Sequence, residues 1–187
     1  MGRKEILKIL LSILPFSLYL NCSEIKLPPE MPVDNLIFYV RYDDQTVQAY
    51  VAGGKRDSLN FTRTLQYEQV PGVIGSGFRT FPNETCLYDM KGNFHPEQGT
   101  LSLWIRPDNW KIREAASVFF SAEIPGIYKM LLYTSLEKPY LNLDVSLPDK
   151  NVNRRITGKV NMDTARWTRV DIIWDRSRIK MYIDGLL

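Results

Sequence analysis

The chain has 187 residues, 44% hydrophobic and 24% charged, which fits one globular domain plus a short leader and argues against a disordered chain. Its net charge of +3 comes from 24 basic and 21 acidic residues, too balanced to imply a nucleic-acid binder, which would need its cations clustered on one face. Tyr, Phe and Trp reach 12%, a bias toward strands, where such side chains pack well on a pleated surface.

Residues 1–22 stand apart in composition. Arg3, Lys4 and Lys8 form a basic start, and Ile9 to Leu20 is an apolar stretch interrupted by Pro15. Twelve residues are too few for a spanning helix, which needs about 20. The pattern is that of a secretory signal peptide rather than a core helix. The Ser17-Leu-Tyr-Leu-Asn-Cys22 end resembles the lipobox of bacterial lipoproteins, although Asn21 stands where a small residue is usual and Tyr19 where an aliphatic is usual. That resemblance implies lipidation at Cys22 and a membrane-anchored protein of the periplasm or cell surface. Simple secretion after nearby cleavage is the rival. The chain has two Cys. With Cys22 lipidated, Cys86 is a lone thiol in a strand-like setting, Thr85-Cys-Leu-Tyr88; without lipid, a Cys22–Cys86 disulfide suits an exported protein.

Residues 23–33 read as a Pro-rich tether, and residues 34–187 as one domain. From Leu36 onward, runs of β formers alternate with turn residues. They are Leu36 to Tyr42, Val47 to Val51, Phe78 to Phe81, Thr100 to Arg106, Ser117 to Ala122, Ile127 to Thr134, Tyr140 to Leu147, Val152 to Val160, Arg166 to Trp174 and Arg178 to Ile183. Many short strands with regular turn signals predict an all-β sandwich or barrel. Residues 112–117 allow one helical turn, and no helical period is sustained after residue 34.

The alternation assigns faces. Leu101, Leu103 and Ile105 share one side, opposite Ser102, Trp104 and Arg106. Ile179, Met181 and Ile183 share another, opposite Arg178, Lys180 and Tyr182. The segment ending Ile172-Ile173-Trp174 is apolar on both faces and is expected to be a central strand.

Three segments carry a family resemblance: Gly99-Thr-Leu-Ser-Leu-Trp-Ile-Arg-Pro107, Trp167-Thr-Arg-Val-Asp-Ile-Ile-Trp-Asp175 and Tyr182-Ile-Asp-Gly185. With Phe38 to Asp44 and Gly72 to Phe81 in order before them, the chain resembles the laminin-G-like members of the concanavalin A-like lectin and glucanase superfamily. The resemblance spans roughly residues 36–187. It implies a jelly-roll β-sandwich of two antiparallel sheets. In that family the Asp-Gly turn leads into a further strand, whereas here only Leu186 and Leu187 follow. A domain truncated at its C-terminus is therefore expected.

Catalysis finds no motif. The glucanases of the superfamily carry an E-x-D-x-x-E strand that sets two carboxylates on one face, and Glu114, Glu123 and Glu137 are isolated. His95, the one histidine, lies in a loop without a cysteine cluster. The Gly72, Gly75 and Gly77 spacing fits turns before a strand, not a phosphate loop. The family resemblance allows calcium on oxygen ligands, and Asp43 and Asp44 are the candidates; turn chemistry explains them, with Asp175 and Asp184, equally well. Sugar binding needs aromatic platforms beside polar groups, and Trp110, Tyr128, Tyr133 and Tyr140 are the candidates. Trp104, Trp167 and Trp174 match family positions that look structural. The expectation is a non-catalytic recognition module binding a glycan or a cell-surface protein. The rivals are a structural domain without sugar specificity and a fragment of a glycan-active enzyme.

Overall fold

The computed structural model describes residues 35–42, 47–57, 67–81, 84–106, 116–135, 139–160 and 166–187. The leader, the tether, Cys22, Asp43, Asp44, Trp110, Glu114 and Glu137 lie outside them. The described chain is all-β and every strand pairing in it is antiparallel.

Eleven strands follow one another among the described residues: β1 (Phe38–Val40), β2 (Ala49–Ala52), β3 (Tyr67–Pro71), β4 (Ser76–Thr80), β5 (Gly99–Ile105), β6 (Val118–Ile124), β7 (Tyr128–Thr134), β8 (Tyr140–Leu147), β9 (Val152–Lys159), β10 (Thr168–Trp174) and β11 (Ile179–Ile183). Ten fall on runs predicted from the sequence. The exception is β3, Tyr67-Glu-Gln-Val-Pro71, whose two long polar residues and terminal Pro give little strand signal. It forms a hairpin with β4 through the Gly72–Gly75 turn, where Gly75 has φ 64° and its carbonyl accepts from Gly72 N at 2.9 Å.

Two larger sheets supply the core. One has the order β11-β10-β5, the other β6-β7-β8-β9. Strand β10 is central in its sheet, as its composition predicts. Yet only one of its faces is buried: Thr168, Val170, Ile172 and Trp174 point in, while Ile173 is exposed. The inner faces meet in a single cluster. Ile105, Val170, Ile172, Trp174 and Met181 come from the first sheet. Ala122, Tyr128, Met130, Leu132, Leu141 and Leu143 come from the second. Sheets that share a core from facing sides make a sandwich-like architecture. Leu101, Leu103, Ile179 and Ile183 pack against this core, as the period-two pattern predicts. Burial of each such aliphatic contributes about 1.5–3 kcal/mol.

One end of the core is closed by a loop. Phe94 stacks on Trp174 at 5.2 Å between ring centroids and meets Tyr128 at 5.9 Å. Trp174 Nε1 donates to the His95 carbonyl at 3.1 Å, which satisfies the buried indole. His95 thus serves the fold through its main chain. Gly99 is required beside that indole: a Cβ there would lie 2.5 Å from the ring.

The expected structural role of all three matched tryptophans holds for Trp174 alone in full. Trp167 is half-buried beneath the Arg106 guanidinium, 5.0 Å from its centroid. Trp104 points outward from β5 and is 48% exposed, because its parity opposes that of Leu103 and Ile105. Cys86 also departs from expectation. Residues 84–90 form no strand, and Cys86 is half-buried beside the phenols of Tyr42 and Tyr88 rather than in a sheet. Burial, with Cys86 nearby, pushes the Tyr42 phenol up to about 12.

Candidate functional site: the outer face of the four-stranded sheet

Residues paired across strands share a face, so the register of β7, β8 and β9 defines the outer surface of their sheet. Tyr133 of β7 pairs with Asn142 of β8, and Asn142 with Thr157 of β9. Leu131, Asp144 and Arg155 form the next row, and Tyr140 pairs with Lys159 in the row beyond. All have the parity opposite to Met130, Leu132, Leu141 and Leu143 in the core. Two of the predicted aromatics, Tyr133 and Tyr140, thereby come to one face on neighbouring strands. They sit diagonally about Asn142, a spacing of about 7–8 Å between such positions.

Asp144 is the hub. Arg155 holds it through two hydrogen bonds, Nε to Oδ1 at 2.6 Å and Nη2 to Oδ2 at 2.7 Å. Such a fork fixes the planes of both groups. The Tyr133 hydroxyl donates to Asp144 Oδ2 at 3.1 Å, and the Arg155 guanidinium lies 6.0 Å from the Tyr133 ring centroid. Arg155 hydrogen bonding holds the Asp144 carboxyl below the usual carboxylate range, helped by the Tyr133 hydroxyl and opposed by partial burial. Partial burial and the Asp144 carboxylate raise the Tyr133 phenol. Alongside, Thr157 Oγ1 donates to Asn142 Oδ1 at 2.9 Å, which orients the carboxamide. The result is a tyrosine held on its ring by a cation and at its hydroxyl by a carboxylate, next to amide, hydroxyl and ammonium groups.

This arrangement suits hydrogen bonding and stacking rather than proton transfer. The Asp144 carboxylate is already neutralised by Arg155. On the same face, Glu123 pairs with Lys129 at 3.4 Å. With its carboxyl held below the usual range, Asp144 lacks the raised pKa that a general acid requires.

Tyr128 is separated from this site. It lies five residues before Tyr133 on the same strand, so it faces the core, where it is 4% exposed and packs on Phe94. Burial pushes its phenol above the ordinary range, and its hydroxyl has no partner among the described residues. Tyr128 is a core residue, not a surface platform. Asp175 and Asp184 have turn roles: Asp175 caps Ser177 and Arg178 backbone amides at 2.8 and 3.0 Å, and Asp184 accepts from Arg169 N at 2.9 Å and from Arg166 at 2.6 Å.

The sequence reading omitted Asn142, Asp144, Arg155 and Thr157 from the site. The alternation Tyr140, Asn142, Asp144, Ser146 was available to place the β8 residues beside Tyr140. The partners on β9 depend on the β8–β9 register, which is set by the tight turn Pro148–Asn151, with Asn151 at φ 52°.

Comparison with protein-family models, curated proteins and solved structures yields no match to this chain.

Proposed function

We propose that this chain is a non-catalytic recognition module that binds carbohydrate through the outer face of β7, β8 and β9. The observation that carries the proposal is the Tyr133–Asp144–Arg155 triad beside Asn142, Thr157 and Tyr140. An immobilised aromatic ring flanked by fixed donors and acceptors is what a sugar needs: an apolar face to stack on and partners for its hydroxyls. The sandwich-like, antiparallel architecture and the laminin-G-like motifs at residues 99–107, 167–175 and 182–185 support a jelly-roll of the concanavalin A-like kind. The link from that fold to lectin function is an analogy between folds.

The basic, apolar start and the lipobox-like end at Cys22 support export and a lipid anchor, which place the module at a membrane surface facing glycans or surface proteins. Mass spectrometry of the mature N-terminus tests this: a diacylglyceryl-modified Cys22 is expected, and an unmodified residue after cleavage elsewhere contradicts it.

A glycan array tests the binding function. The full-length protein is expected to bind a restricted set of glycans, and Tyr133→Ala is expected to weaken that binding about tenfold or more while the fold persists by circular dichroism. Binding unchanged by Tyr133→Ala, or no glycan bound, overturns the assignment. An interaction domain without sugar specificity is the second reading. It is favoured by Trp104 and Ile173, both exposed on the outer face of the other sheet.

A further inference from the structure

Around Asn142, the outer face of β7, β8 and β9 has spent its strong acceptors on itself and kept its donors. Both oxygens of Asp144 are taken, Oδ1 by Arg155 Nε at 2.6 Å, Oδ2 by Arg155 Nη2 at 2.7 Å and the Tyr133 hydroxyl at 3.1 Å. Asn142 Oδ1 accepts from Thr157 Oγ1 at 2.9 Å, which fixes the carboxamide and turns its NH2 end away from Thr157. That residue is only 9% exposed, yet its Nδ2 donates to no other group among the described residues. A side-chain amide nitrogen carries two donors and accepts nothing, so this one calls for an acceptor.

The charges agree. Glu123 pairs with Lys129 at 3.4 Å and Asp144 with Arg155 at 2.6 Å. Lys159 is exposed and has no ion-pair partner among the described residues. The register sets Lys159 opposite Tyr140 and Thr157 opposite Asn142. Lys159 is therefore diagonal to Asn142, about 7–8 Å away between such positions, a distance its flexible stem can cross. A fixed amide donor and a free ammonium converge on one spot beside the Tyr133 ring, and both described carboxylates of the face are already neutralised.

We propose that the glycan bound here carries a carboxylate on its sugar ring, as a uronic acid does; the inference rests on the recognition reading above and names its ligand class. One carboxylate oxygen accepts from Asn142 Nδ2 and the other from Lys159 Nζ, while the ring stacks on Tyr133. Charge-assisted hydrogen bonds of this kind are stronger than those a neutral hydroxyl makes. A ring carboxylate comes rigidly with the stacking face, whereas a sulfate ester hangs on a rotatable oxygen and loses more freedom on binding. The donors belong to the protein, so the contact is direct and has no metal bridge.

The test titrates the full-length protein with oligosaccharides of glucuronate, galacturonate and mannuronate, each beside its carboxyl-reduced neutral counterpart. At least one acidic form is expected to bind roughly tenfold or more tightly than its reduced counterpart. That advantage should shrink as salt rises and persist when calcium is chelated. Lys159→Glu, at an exposed position, is expected to abolish it. Asn142→Asp keeps an acceptor for Thr157 and replaces the donor by an acidic oxygen, and is expected to abolish it too while neutral sugars still bind. Equal binding of every acidic and reduced pair, an advantage unmoved by both variants or lost on chelation, or a sulfated glycan preferred to all the uronates overturns the inference. In each of those cases binding still weakened by Tyr133→Ala leaves the recognition reading standing. Absence of binding to any glycan overturns both.

Discussion

The two faces of the β6-β7-β8-β9 sheet are built from the same strands and obey opposite rules. Inward, Met130, Leu132, Leu141 and Leu143 are fully buried and interchangeable in kind. Outward, Tyr133, Asn142, Asp144, Arg155 and Thr157 are tied to one another by hydrogen bonds at defined distances, with Asp144 shared by Tyr133 and Arg155. The inner face is specified by volume and the outer face by hydrogen-bond geometry. Stability is therefore concentrated on one side and the proposed recognition on the other, and substitutions can separate the two.

The largest effect is expected inside. Leu143→Ala removes a side chain with no exposure and should cost about 2–5 kcal/mol in urea unfolding. Gly99→Ala attacks the same core from the facing sheet by driving a methyl into the Trp174 ring, and should cost about 1–3 kcal/mol with a changed tryptophan emission. An outer-face variant that costs as much as these would erase the contrast.

Outside, Tyr133→Ala should leave stability within about 1 kcal/mol while weakening glycan binding about tenfold or more. Tyr133→Phe sharpens the assignment: it keeps the ring and loses only the hydroxyl that donates to Asp144, so isothermal titration should place it between wild type and Tyr133→Ala.

The smallest effect is a pH dependence. The folded Asp144 carboxyl is depressed, mainly by hydrogen bonding from Arg155. Its contribution is fully present above the ordinary carboxylate pKa and is lost as pH falls through the depressed folded value. Because Arg155 is exposed, that contribution should stay below about 1 kcal/mol. Asp144→Asn should therefore differ from wild type in urea stability near neutral pH and converge with it in acid.

Much of the fold was legible because period-two alternation is a direct consequence of strand geometry. Leu101, Leu103, Ile179 and Met181 could be turned inward from sequence alone. Strand β3 was missed because its hairpin is held by partners the local sequence does not contain: Phe78 stacks on Tyr42 at 4.6 Å, and Gln69 Nε2 donates to the Tyr42 carbonyl at 2.5 Å. The site was legible in part. Tyr133 and Tyr140 were visible as aromatics, and strand parity could have removed Tyr128 from their company. Asp144 with Arg155 could not be paired, because that pair exists only once the register across the Pro148–Asn151 turn is fixed. Trp104 misled for the converse reason: a motif position says which residue recurs, and parity says which way it points.

Amide and side-chain chemical-shift mapping during titration with the best glycan from the array bears most directly on the division between the two faces. Shifts should concentrate on Tyr133, Tyr140, Asn142 and Thr157 and leave Tyr128 and Leu143 unmoved. Shifts confined to Trp104, Ile173 and Tyr182 on the opposite sheet, or spread through the core, would contradict it.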